Sequence, residues 1–88
     1  MPTLSMFYGI IIRMFDESGG QHNLPHFHAA YQGQQATFDF SGNILAGKFP
    51  NKQKQLVKAW VILHRDELDA NWELLKENSD FFKIEPLR

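Results

Sequence analysis

From Phe7 to Phe15 almost every position is aromatic, β-branched or otherwise apolar, which is the composition of a strand. Period-two alternation places Tyr8, Ile10, Ile12 and Met14 on one face and Phe7, Ile11 and Phe15 on the other. Two apolar faces predict a strand covered on both sides, with Arg13 reaching solvent or a carboxylate. Asp16-Glu17-Ser18-Gly19-Gly20 ends this run as a loop, because paired glycines adopt backbone angles that other residues avoid.

Alternation resumes at His26 to Tyr31, with His26, His28 and Ala30 on one side and Phe27, Ala29 and Tyr31 on the other. Gln32-Gly33-Gln34 turns the chain. Gln35 to Phe40 then places Ala36, Phe38 and Phe40 inward and Thr37 and Asp39 outward, and Ser41-Gly42-Asn43 makes a second tight turn. Ile44 to Phe49 forms a further short strand, weakened by Gly47. Connections this short predict an antiparallel meander.

Beyond Pro50 the period changes from two to about 3.6. Leu56, Val57, Ala59, Trp60, Val61, Leu63 and His64 share one broad arc, opposite Lys54, Lys58 and Arg65, as in an amphipathic helix. A single helix from Asn51 to Glu77 would be about 40 Å long. A domain of this size, with a radius of gyration of roughly 12 Å, would hardly cover it. The helix is therefore expected to break near Arg65-Asp66, with Asp66 capping a second helix that stops at Asn78-Ser79-Asp80. Phe81 to Leu87 is an extended apolar tail that must dock, by default on its own domain. The expected fold is α+β, one domain spanning residues 1–88, with a small antiparallel sheet of three to four strands followed by two C-terminal helices packed on it.

Composition narrows the chemistry. With 88 residues the chain is near the small end of what folds alone, and eight Phe, two Trp and two Tyr supply the large apolar areas a small core needs. The absence of cysteine excludes disulfides, thiolate metal sites and cysteine nucleophiles. A net charge of −1 gives no global field for nucleic acid or acidic membranes. No basic leader or apolar run of membrane-spanning length is evident, so a cytoplasmic protein with no membrane association is expected.

Three of the four histidines fall within His22-Asn23-Leu24-Pro25-His26-Phe27-His28. On a strand, His26 and His28 project to the same face, a spacing by which two imidazoles grip one metal ion. His22 would complete a metal set from the loop, joined by Asp16, Glu17 or Asp39, and the cofactor would be a divalent metal such as zinc. Without metal, His26 and His28 are the candidate catalytic residues as general acid or base, since imidazole exchanges protons near neutral pH. The structural alternative is that Pro25 stiffens the loop while the histidines hydrogen-bond its carbonyls. Lys54, Lys58 and Arg65 are candidate binding residues for phosphate or an acidic partner, weighed against an ordinary solvated helix face.

Met1-Pro2-Thr3-Leu4-Ser5 with Phe7-Tyr8-Gly9-Ile10, the His22 to Ala29 segment, Leu56-Val57 through Trp60, His64 and Asn71-Trp72, and the closing Ile84-Glu85-Pro86-Leu87 together resemble the bacterial domain-of-unknown-function family 4160. The resemblance implies a stand-alone small protein, often encoded beside a second small protein and sometimes labelled a toxin–antitoxin component or regulator. It assigns no catalytic role to His22, His26 or His28. The Ser18-Gly19-Gly20-Gln21 stretch departs from the family pattern and shifts His22 relative to the strands. The expected function is a protein-interaction component of a toxin–antitoxin-like or regulatory pair, with a protein partner or a homo-oligomer as its counterpart. The alternative is a metal-dependent or histidine-assisted enzyme, such as a nuclease, using the His22/His26/His28 cluster.

Overall fold

A computed structural model describes residues 3–14, 24–77, 80 and 82–87. Five strands, β1 (Thr3–Phe7), β2 (Ile10–Arg13), β3 (His26–Tyr31), β4 (Gln34–Asp39) and β5 (Ile44–Gly47), form one antiparallel sheet in chain order. Two helices follow, α1 (Asn51–Leu63) and α2 (Arg65–Lys76). The α+β class and the meander are as the sequence predicts; the count of three to four strands is not.

The extra strand arises at Tyr8-Gly9. Both residues take positive φ, +49° and +80°, the geometry of a two-residue hairpin turn whose twist matches its strands. Phe7 pairs with Ile10 across this turn, so the alternation restarts and Phe7, Ile10, Ile12 and Met14 all enter the core. The expected single strand Phe7 to Phe15 is thus divided, with Phe7 ending β1, Ile10–Arg13 forming β2, and Phe15 outside the described residues. Gln32-Gly33 repeats the same geometry between β3 and β4, at +46° and +83°.

The core lies on one face of the sheet. Phe27 stacks on Phe38 with ring centroids 5.6 Å apart and planes 4° from parallel. Trp60 of α1 meets Phe27 edge-on at 5.7 Å and Phe7 at 5.6 Å. Val57, Val61 and Leu68 complete the same buried cluster. Leu63, expected on the apolar arc, is exposed, because the helix ends there and the chain turns.

The break falls where the length argument places it, with a different residue at the joint. His64, at φ −123° and ψ 27°, separates the helices and occupies the N-cap position of α2. Its Nδ1 lies 2.7 Å from Glu67 Oε1, tying cap to first turn, whereas Asp66 sits inside that turn. Asp66 and Glu67 at the start and Lys76 at the end of α2 complement its dipole. At α1 the extended Pro50 is the N-cap, and its carbonyl accepts the amide of Lys54.

The tail docks on its own chain. Ile84 is buried and its amide donates to the Leu4 carbonyl at 2.9 Å, alongside the β1 edge. The Trp60 indole N–H donates to the Glu85 carbonyl at 2.9 Å. Asn71, wholly buried in α2, donates through Nδ2 to the Phe82 carbonyl and accepts the Phe82 amide at Oδ1. One side-chain amide thus acts as a strand would. Asn71→Ala leaves both Phe82 backbone groups without these partners, at an expected loss of about 2–4 kcal/mol. Urea unfolding with an unchanged m-value is the check; a loss under about 0.5 kcal/mol would show that the tail is not held here.

Candidate functional site

The sheet face opposite the helices carries a distinct set of side chains. Register aligns Thr3, Arg13, His28, Thr37 and Ala46 in one row across all five strands. The neighbouring row runs Met6, Ile11, Ala30 and Gln35. Arg13, His28, Thr37, Ile11 and Ala30 are half-buried, while Met6, Gln35 and Ala46 are exposed. No described helix covers these rows. An apolar strip and a polar one therefore lie side by side on the sheet face away from the buried core.

His26 and His28 share this side of β3, with ring centroids 5.4 Å apart and planes at 82°. Their environments differ. His26 is 6% exposed, and the Trp72 ring of α2 meets it edge-on at 5.4 Å. Its Nδ1 donates to the Leu24 carbonyl at 2.8 Å. Because a carbonyl only accepts, that bond fixes the proton on Nδ1 and puts the lone pair of the neutral ring on Nε2. His26 thereby fastens the Leu24-Pro25 approach to β3 and joins the sheet to α2. His28 is the more accessible ring, with Nδ1 hydrogen-bonded to Thr37 Oγ1 at 3.2 Å on the adjacent strand.

Of the predicted metal set, His22, Asp16 and Glu17 lie outside the described residues. Asp39 stands opposite His26 in register, but its Oδ1 accepts the amides of Ser41 and Asn43, each at 2.9 Å. It closes the β4–β5 turn. Among the described residues, no group of three or more His, Asp or Glu side chains is placed to hold a metal ion. The His26 hydrogen bond does resemble the carbonyl contact that orients many metal-binding imidazoles. Two imidazoles are what the described residues bring together.

The basic set is divided between the two helices. Lys54 and Lys58 lie on α1, the latter with its stem against Gly42, where an added Cβ would come within 2.9 Å of Lys58 Cγ. Arg65 belongs to α2: its Nη1 donates to the Phe40 carbonyl at 2.8 Å, its Nε to Asp69 Oδ1 at 3.3 Å, and its guanidinium lies over the Phe40 ring at 5.8 Å. It locks the helix to the end of β4.

Arg13, which the sequence directs to solvent or a carboxylate, is not among the candidate site residues that the sequence names. Its Nε is buried and has no hydrogen-bond partner, which is costly for a group that is always charged. The available signal was its position among apolar residues on a strand. Beside it, His28, Gln35, Ala36, Thr37, Ala46 and Gly47 line a shallow depression of about 240 Å³. Gly47 makes this floor possible: its φ is +86°, and a Cβ there would fall 2.4 Å from the Gln35 carbonyl oxygen.

Together these features define a small α+β domain, a meander sheet backed by two helices on one side; on the other, among the described residues, only Trp72 of α2 reaches across, to His26. The chain belongs to the DUF4160 family, a domain of unknown function, whose model matches residues 9–73. That span runs from the first hairpin turn into α2, so β1 and the docked tail fall outside it. No curated protein and no solved structure gives a significant match. No helix among the described residues is long and apolar enough to cross a membrane.

Proposed function

We propose that the protein is the interaction component of a regulatory, toxin–antitoxin-like pair, and that it binds a protein partner over the open face of its sheet. The observation that carries this reading is the pairing of an apolar strip, Met6, Ile11 and Ala30, with the polar row of Arg13, His28 and Thr37. Partial burial of Ile11 and Ala30 beside an exposed Met6 gives an apolar centre, and the polar row supplies the directional groups that fix orientation at protein interfaces. Arg13, with its orphaned Nε–H, calls for an acidic group on the partner. The family resemblance supplies the class of partner, a second small protein. The tail is not the contact element, since Ile84 and the Phe82 backbone are engaged internally.

Purification from native cells under mild conditions is expected to recover one protein in stoichiometric amount. Recovery of the chain alone, as a monomer, would overturn the reading. The His26→Ala, His28→Ala double variant separates this reading from the enzyme alternative. Elemental analysis of untagged protein is expected to give no stoichiometric zinc, iron or manganese in either form, whereas near-stoichiometric metal that disappears in a folded double variant would move the function to metal-dependent catalysis.

A further inference from the structure

We propose that Arg13, His28 and Thr37 form a recognition site for an oxyanion, a carboxylate or phosphate group, seated at the depression between β3, β4 and β5. The inference deepens the reading of the open face as a binding surface but does not require the bound group to belong to a protein.

The argument begins with charge. A guanidinium offers five donors and no acceptor, and it matches the two oxygens of a carboxylate or phosphate in a planar fork. Arg13 Nε has no acceptor among the described residues. Among the described residues, the carboxylate on this face is Asp39, whose Oδ1 is engaged by Ser41 and Asn43 in the turn. Among the described residues, then, no carboxylate is paired with this cation. Rotation of the last side-chain torsions toward a bound anion would exchange the orphaned Nε–H for a paired one.

Geometry then places the other groups. Arg13 is the direct cross-strand partner of His28, and His28 of Thr37, so neighbouring Cβ atoms in the row are about 5 Å apart. The His28 ring, which helps line the depression, is hydrogen-bonded to Thr37 Oγ1. Gln35, also lining it, adds a side-chain amide. The volume of about 240 Å³ falls below that of pockets for drug-sized ligands and suits one anionic group. Glycine at position 47, which also lines the depression, permits the close approach of β5 to the β4 backbone there.

The test is titration of ¹⁵N-labelled protein with sodium phosphate, sodium acetate and an acetylated pentaglutamate peptide, against sodium chloride at matched ionic strength. Saturable amide shifts at His28, Thr37 and Ala46 are expected, and Arg13→Met should weaken them about tenfold or more while leaving the rest of the spectrum unchanged. Thr37→Val serves the same purpose should Arg13→Met fail to fold. Saturation by the peptide alone supports the site with a protein carboxylate as its source. Saturation by the free anions alone supports the site while removing this face from the protein-partner reading. Absence of saturable shifts with every probe, or equal binding by a folded Arg13→Met protein, would overturn the proposal.

Discussion

Trp60→Ala is expected to unfold the protein, or to leave it at the edge of unfolding, at 25 °C. Trp60 is wholly buried, it joins the aromatic rings of β1 and β3, and its indole N–H holds the tail at Glu85. Truncating a buried tryptophan removes about 3–5 kcal/mol. A domain of this length has about 4–13 kcal/mol in total. Trp60→Phe separates the contributions, since it keeps most of the ring contact and loses the indole bond, and a smaller loss of about 1–2 kcal/mol is expected. Circular dichroism with urea titration reads both. If Trp60→Ala melted within a few degrees of the native chain, the core would not be organised around this residue.

Gly47→Ala is the second large effect, and its cause is backbone rather than burial. A φ of +86° is unfavourable for any residue with a Cβ, and here that atom would also lie 2.4 Å from Gln35 O and 2.9 Å from Ala36 Cα. Strand β5 would have to move away from β4, with an expected loss of at least about 3 kcal/mol. Gly33 is the internal control. Its φ is +83° with nothing within 4 Å of an added Cβ, so Gly33→Ala should lose only about 1–2 kcal/mol, the left-handed conformation alone. Equal losses in the two variants would mean that the close approach of β5 to β4 contributes nothing.

Most of the fold was legible because its signals are local. Alternation in β3 and β4, glycine at the turn after Tyr31, and the change of period after Pro50 each depend on a few neighbouring residues. The helix break followed from length and compactness, and the radius of gyration is 12.0 Å. The Tyr8-Gly9 turn escaped because apolar residues flank it on both sides and tyrosine seldom takes positive φ. Gln32-Gly33, with the same geometry, stood out only because its neighbours are polar. The identity of the cap also depended on a side-chain contact between residues three apart, Glu67 to His64, which hydrophobic periodicity does not announce.

The candidate site was legible only in part. Period two placed His26 and His28 on one face, and their rings do meet there. Sequence spacing could not show that Trp72 closes over His26 while His28 remains on the open side. Nor could it show that Trp60, on the apolar arc of α1, and Asn71 of α2 bind the backbone of the tail. The row joining Arg13, His28 and Thr37 depends on strand register between segments separated by loops, so no local pattern announces it.

The most direct test of a partner on the open sheet face is quantitative co-purification from native cells with paired surface variants. Ile11→Lys places a charge in the apolar strip of that face, and Ile62→Lys places one at an exposed position on α1. With both variants folded, the expected result is a stoichiometric partner recovered with the native chain and with Ile62→Lys, and lost with Ile11→Lys. Recovery of the same partner with Ile11→Lys, or its loss only with Ile62→Lys, would contradict the account and place the contact on the helical side.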